Sequence, residues 1–244
     1  MKKLLSVLLV SILLIGCSEN RVLIDQLIVK GRELNNDGLL TIYDESDLFT
    51  GIGFDVDSDG ILKMETDIKD GKIKNVLEYY SNGQLRSEEN WIDGKKYMIE
   101  RGWYENGQLR YEYNSKDIKD ELSVRTNSGG FGRKMFKDGT QRDWNENGQL
   151  MYEGNWKDGK EDGLSKWWYD HGQLSNEENY IDGKKDGTQR EWYENGQLRY
   201  EGNWKDGKED GLSKWWYDHG QLINEQNYID GKKDGLSLIE RILL

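Results

Sequence analysis

The chain has 244 residues, a formal net charge of −12, 29 glycines, 10 tryptophans, 14 tyrosines and 4 phenylalanines, with no proline and no alanine. Many glycines and aromatics without alanine read as turns and strands, not helices. An acidic surface of this size excludes nucleic acid as an expected partner. The single cysteine excludes an internal disulfide or a cysteine zinc site, and with only two histidines general-base chemistry is poorly supplied.

In chain order, residues 1–16 come first. Lys2 and Lys3 precede an apolar run, Leu4 to Ile15, broken only by Ser6 and Ser11. Gly16 and Cys17 follow, then polar residues. Basic, apolar, then small is the order of an export signal, and the run is shorter than the ~20 residues a membrane span needs. Leu14-Ile15-Gly16-Cys17 resembles the lipobox of bacterial lipoproteins. The resemblance implies removal of residues 1–16 and a thioether-linked diacylglycerol on Cys17, which acylation of the new amine would reinforce. Residues 17–30 would be anchor and linker. Ser18, where an Asp would favour inner-membrane retention, points to the outer membrane in a two-membrane cell.

Residues 31–112 hold degenerate repeats. Asn36-Asp37-Gly38-Leu39 and Ser58-Asp59-Gly60-Ile61 are early copies of a turn that becomes Asn-Gly-Gln-Leu at Asn82 and Asn106. Asp55, Asp57 and Asp59 begin like a calcium loop. Thr66 stands where the loop needs a bidentate Glu, and Gly60 is in phase with the hairpin glycines, so a turn is the favoured reading over a weak calcium site. Residues 113–136 leave the pattern, as an insertion or a decayed unit.

Residues 137–235 are the regular part. Asn-Gly-Gln-Leu recurs at Asn147 and Asn195, and His-Gly-Gln-Leu at His171 and His219. The hairpin glycines are Gly83, Gly107, Gly148, Gly172, Gly196 and Gly220. They keep one constant step, except that Gly107 to Gly148 is longer by an inserted segment. Such a fixed period is the mark of a repeat architecture. Residues 137–184 and 185–232 match at 43 of 48 positions, a duplicated two-unit block. Each unit reads as two strands joined by a tight hairpin turn at Asn-Gly, whose two residues take positive φ. Asp-Gly turns the chain into the next unit by the same chemistry. No unit can bury its own aromatic face, so the units must stack. Residues 236–244 would cap the array.

Units of the form Trp-Tyr-x-Asn-Gly-Gln-Leu-x-x-Glu, followed by an aromatic and Asp-Gly-Lys, are clearest from Trp192 to Lys208 and from Trp144 to Lys160. They resemble the bacterial variant of the membrane-occupation-and-recognition-nexus (MORN) repeat. That resemblance implies an all-β fold, an elongated antiparallel sheet of MORN-type β-hairpin repeats of about 24 residues, within the range of short-period repeat arrays. It also implies binding or scaffolding instead of catalysis. Many bacterial members are labelled antitoxins, which leaves an antitoxin or immunity protein as an alternative to an envelope scaffold.

His171 and His219 replace turn asparagines and are expected to do turn work. Paired carboxylates such as Glu177-Glu178 lie on a solvated sheet, so no catalytic residue, metal or cofactor is expected. Shifting the units by one period lays Trp168 on Trp192, and Trp167 on Glu191. Trp168, Trp192 and Trp216 are therefore expected to share the buried face. Trp167 and Trp215 are expected on the opposite, exposed face as a binding ridge for a protein or polysaccharide.

Overall fold

The computed structural model describes residues 21–23, 32–34, 40–44, 47–92, 97–117, 124–125, 131–132, 135–237 and 239–240. Cys17 lies outside them, as do most of residues 113–136. The described chain is almost entirely β-strand, as the glycine and aromatic content requires. It divides into two compact units, one of residues 1–107 and 117–134, the other of residues 108–116 and 135–244.

In the first unit, strands Gly51–Val56, Leu62–Lys69, Lys72–Tyr79, Leu85–Ile92 and Tyr97–Trp103 pair consecutively and antiparallel. One pairing departs from the all-antiparallel expectation: Arg21–Leu23 runs parallel to Gly51–Val56. Phe49 and Ile68 are fully buried here, with Val22 and Ile73 packed against them.

In the second unit, strand Leu109–Asp117 pairs directly with Gly139–Trp144 through Tyr111 opposite Asp143. The intervening residues thus interrupt the repeat in sequence without interrupting the sheet. Strands Leu150–Lys157, Lys160–Trp168 and Leu174–Ile181 follow, then Gly187–Trp192, Leu198–Lys205, Gly211–Trp216 and Leu222–Ile229. Each is antiparallel to the one before.

The two turns of a unit differ, which the sequence reading did not anticipate. At Asp-Gly, both residues have positive φ: Asp206 at 50° and Gly207 at 84°. That is the two-residue hairpin turn expected of Asn-Gly. At Asn-Gly only the glycine is left-handed, Gly196 at 82°. Gly196 N donates to Tyr193 O and Tyr193 N to Gln197 O, both at 2.9 Å. This is a three-residue loop ending in a glycine bulge. The asparagine is chosen for its side chain instead: Asn195 Oδ1 accepts from Gln197 N at 3.0 Å, and Asn195 Nδ2 donates to Asp218 O of the next unit at 2.6 Å.

Such bonds stitch neighbouring units along both sides of the sheet. On the Asn-Gly side, Tyr80, Tyr169 and Tyr193 donate their hydroxyls to the carbonyls of Trp103, Trp192 and Trp216, at 2.8–2.9 Å. On the Asp-Gly side, the amides of Asp158, Asp182, Asp206 and Asp230 donate to the carboxylates of Asp138, Asp162, Asp186 and Asp210. Gly159, Gly183, Gly207 and Gly231 donate to carbonyls of the preceding unit at 2.8–2.9 Å. The pattern satisfies turn backbone groups with chemistry from the adjacent unit, so each unit completes its neighbour.

Candidate functional site

Register assigns the two faces of the second unit. On one, the cross-strand sequence is Glu112, Arg142, Glu153, Lys166, Glu177, Arg190, Glu201, Lys214 and Glu225. Charges alternate in sign at every step, the arrangement that favours neighbouring strands. Arg142 Nε lies 2.7 Å from Glu153 and Arg190 Nε 2.7 Å from Glu201. This face is solvated and charged.

The opposite face carries a second ladder: Tyr111, Asp143, Tyr152, Trp167, Asn176, Glu191, Tyr200, Trp215 and Asn224. The order acid, Tyr, Trp, Asn occurs twice. Tyr152 packs on Trp167 with ring centroids 5.3 Å apart, and Tyr200 on Trp215 at 5.5 Å, both tilted by 45°. These rings are held by an unusual local arrangement. Each tyrosine lies along its own strand over a glycine two residues on, Gly154 or Gly202. Its hydroxyl reaches the indole N–H four residues on: Trp156 Nε1 donates to Tyr152 at 3.0 Å, and Trp204 Nε1 to Tyr200 at 3.2 Å. Tyr200 in turn donates to Glu209 at 3.1 Å. Burial, the largest influence, pushes both tyrosines above the ordinary phenol range. It also raises the Glu161 carboxyl, with Glu178 adding to the effect and the Ser165 hydroxyl opposing it.

The division of faces differs from the one read in the sequence. The fully buried Gln141, Ser165, Gln189 and Ser213 share the face of Trp167 and Trp215, because side chains two apart on a strand point the same way. Trp168 and Trp216 follow Lys166 and Lys214 onto the charged face. All four tryptophans are half-buried. Sequence alone weighed Trp against Glu at equivalent positions and took the acid as a mark of exposure. It missed that Glu191 is one step of a ladder whose rims are aromatic and whose floor is Gly, Ser and Gln.

A cavity of about 270 Å³ opens on this face beside Tyr200 and Trp215, with Glu178, Lys185, Glu191 and Trp204 in its wall. Lys185 bonds Glu178 at 2.9 Å and lies over the Trp204 ring, 5.4 Å from its centroid. In the first block Lys137 lies over Trp156 at 4.6 Å. Trp156 and Trp204 are thus covered by cations.

Other sequence candidates sit in turns. Asp57 Oδ1 accepts from Asp59 N at 2.9 Å and Ile61 N at 3.0 Å, and Gly60 N donates to Asp57 O at 3.0 Å. Asp57 and Asp59 therefore belong to a loop of the same kind as the Asn-Gly turns, Asp55 lies on the strand before it opposite Met64, and one Asp57 oxygen is spent on the backbone. Among the described residues no group of three or more His, Cys, Asp or Glu is placed to hold a metal ion. His171 Nε2 stands 3.1 Å from Glu194 O. A carbonyl can only accept, so Nε2 carries the proton. The histidine does what Asn195 does one unit later. Among the described residues, no helix is long and apolar enough to cross a membrane.

Short hairpins of one fixed length that complete one another's turns define a β-repeat protein. The MORN repeat variant profile matches residues 72–93, 96–117, 137–158, 161–182, 185–206 and 209–230, more than half of the sequence, and the chain belongs to that family. None of the curated proteins matches the chain. Among solved structures, one similar chain is in the crystal structure of TcdB2-TccC3-Cdc42, at 12% identity and a TM-score of 0.20. The match covers 84% of this chain and 15% of that one, a likeness too slight to carry an argument. Repeats of this family suit a binding or scaffold protein.

Proposed function

We propose that the protein is a lipoprotein of the cell envelope, anchored through lipid on Cys17, whose repeats bind a protein or polysaccharide partner and catalyse no reaction. The observation that supports a binding role most directly is the twice-repeated aromatic ladder with a cavity beside it. The sequence from Lys2 to Ser18 supports the anchor, and Ser18 favours the outer membrane where there are two. The net charge of −12 supports a partner that is neutral or basic, not nucleic acid.

Metabolic labelling with a fatty acid tests the anchor. Wild-type protein should carry label in the membrane fraction, and Cys17→Ser should carry none. Equal labelling of the variant, or wild-type protein recovered unlabelled, refutes the lipoprotein reading.

A further inference from the structure

We propose that Tyr152–Trp167 and Tyr200–Trp215 are two equivalent sugar-ring sites, spanned together by one uncharged polysaccharide chain. The inference rests on reading this face as the binding face, and it adds the ligand class.

The geometry is repeated, not incidental. Both pairs have the same tilt of 45° and centroid separations of 5.3 and 5.5 Å. They lie on one unbroken ladder in which Asn176 and Glu191 separate Trp167 from Tyr200. Four strand steps separate equivalent positions, about 19 Å at the usual strand spacing. A compact ligand cannot touch both pairs, whereas a linear polymer can.

The chemistry selects the polymer. A pyranose ring has an apolar C–H face and a girdle of hydroxyls, each both donor and acceptor. Trp215 and Tyr200 present amphipathic rings, and Glu191 and Arg199 lie at the same cavity. The cavity, about 270 Å³, is at or below the small end of ordinary ligand sites, about 300 Å³ upward, which suits one ring of a chain rather than a large compact ligand.

Charge argues for a neutral sugar. Glu178, Glu191 and Glu209 line the cavity with Lys185 and Arg199. They are already partnered: Lys185 with Glu178 at 2.9 Å, Arg199 with Glu191 at 3.8 Å, and Glu209 with the Tyr200 hydroxyl at 3.1 Å. An anion or cation would have to displace one of these partners. Hydroxyls could bridge them undisturbed.

In the first block Lys137, Asp143, Tyr152, Trp156, Glu161 and Trp167 stand where Lys185, Glu191, Tyr200, Trp204, Glu209 and Trp215 stand in the second. Met151 replaces Arg199, so the first site has one hydrogen-bonding group fewer.

The test is calorimetric titration of the full chain in detergent with three uncharged oligosaccharide series, the chitin, cellulose and maltose types, each from disaccharide to octasaccharide. At least one series should bind, and its affinity should step up by about 100-fold or more when the chain becomes long enough to reach both pairs. Trp167→Ala or Trp215→Ala should abolish the step and leave short-chain affinity. The double variant should not bind. Where circular dichroism shows that a tryptophan variant does not fold, Asp143→Asn and Glu191→Gln take its place and should weaken binding at least several-fold. Lack of binding by all three series overturns the proposal, as does binding with no length step. A lysine-rich peptide that binds more tightly than any sugar also overturns it. The labelling of Cys17 is read separately, so failure of the anchor and failure of the glycan site cannot be confused.

Discussion

Gly202→Ala is the sharpest test of how the aromatic ladder is built. Gly202 is not among the glycines with positive φ, so alanine brings no backbone strain. The obstacle is space: a Cβ there would lie 2.0 Å from the Tyr200 hydroxyl, 2.6 Å from its Cζ and 2.8 Å from Ser213 Oγ. A phenol ring has no flexible end to yield, so Tyr200 must swing off its strand. That movement gives up the pairing with Trp215 and the bonds to Trp204 and Glu209. An aromatic pair contributes about 0.5–1.5 kcal/mol and each hydrogen bond about 0.5–1.5 kcal/mol, so the loss is roughly 2–4 kcal/mol. For a chain of this size the melting temperature should fall by about 4–16 °C. A double-mutant cycle with Tyr200→Ala isolates the cause. Once the ring is gone, alanine at 202 should cost little, leaving a coupling of about 1 kcal/mol or more. A Gly202→Ala variant as stable as wild type, or one equally destabilising with and without Tyr200, would refute this packing.

Glu161→Gln should raise the melting temperature at neutral pH. Burial raises the Glu161 pKa in the fold, so the folded chain holds that proton more tightly than the unfolded one; stability falls as pH rises through the raised pKa and returns below the ordinary carboxylate range. The advantage of Gln should therefore disappear on acidification, and an advantage independent of pH would count against the burial argument. Tyr169→Phe removes the bond to Trp192 O and should cost about 0.5–1.5 kcal/mol in denaturant titration. Tyr217→Phe should cost almost nothing, because Tyr217 is in the last unit and 48% exposed. Gly196→Ala places a side chain at a φ of 82° and should cost about 1–2 kcal/mol, whereas Asp206→Gly, at a φ of 50°, should be tolerated by the backbone.

Fold class and unit length were legible in the sequence because hairpin turns are local. Gly196 and Gly207 mark where the chain reverses whatever surrounds them. The turn types were not legible, since Asn195 is chosen for a bond to Asp218 O that exists only after stacking. The faces were misread for a related reason. Tyr152 with Gly154, and Tyr200 with Gly202, alternate along the chain with Asn176 and Glu178, and Asn224 and Gln226. Large-over-small and its absence are thus written into successive return strands. That alternation looked like irregularity until the strand register showed each tyrosine lying over its own glycine and against the tryptophan opposite.

The stitching bonds make the duplicated block a tile that fits itself. His171 crosses from the first block to reach Glu194 in the second, and Asn195 makes the same reach inside the second block. Asp186 N spans the same junction to Asn179 O at 2.9 Å, as Asp210 N reaches Asn203 O at 2.8 Å inside the second block. A junction between tiles is therefore chemically the same as a junction inside one. A gene encoding such a product can gain or lose a tile by unequal exchange without creating a mismatched boundary. The number of ring sites, and with it the reach along a ligand, would then change in whole steps.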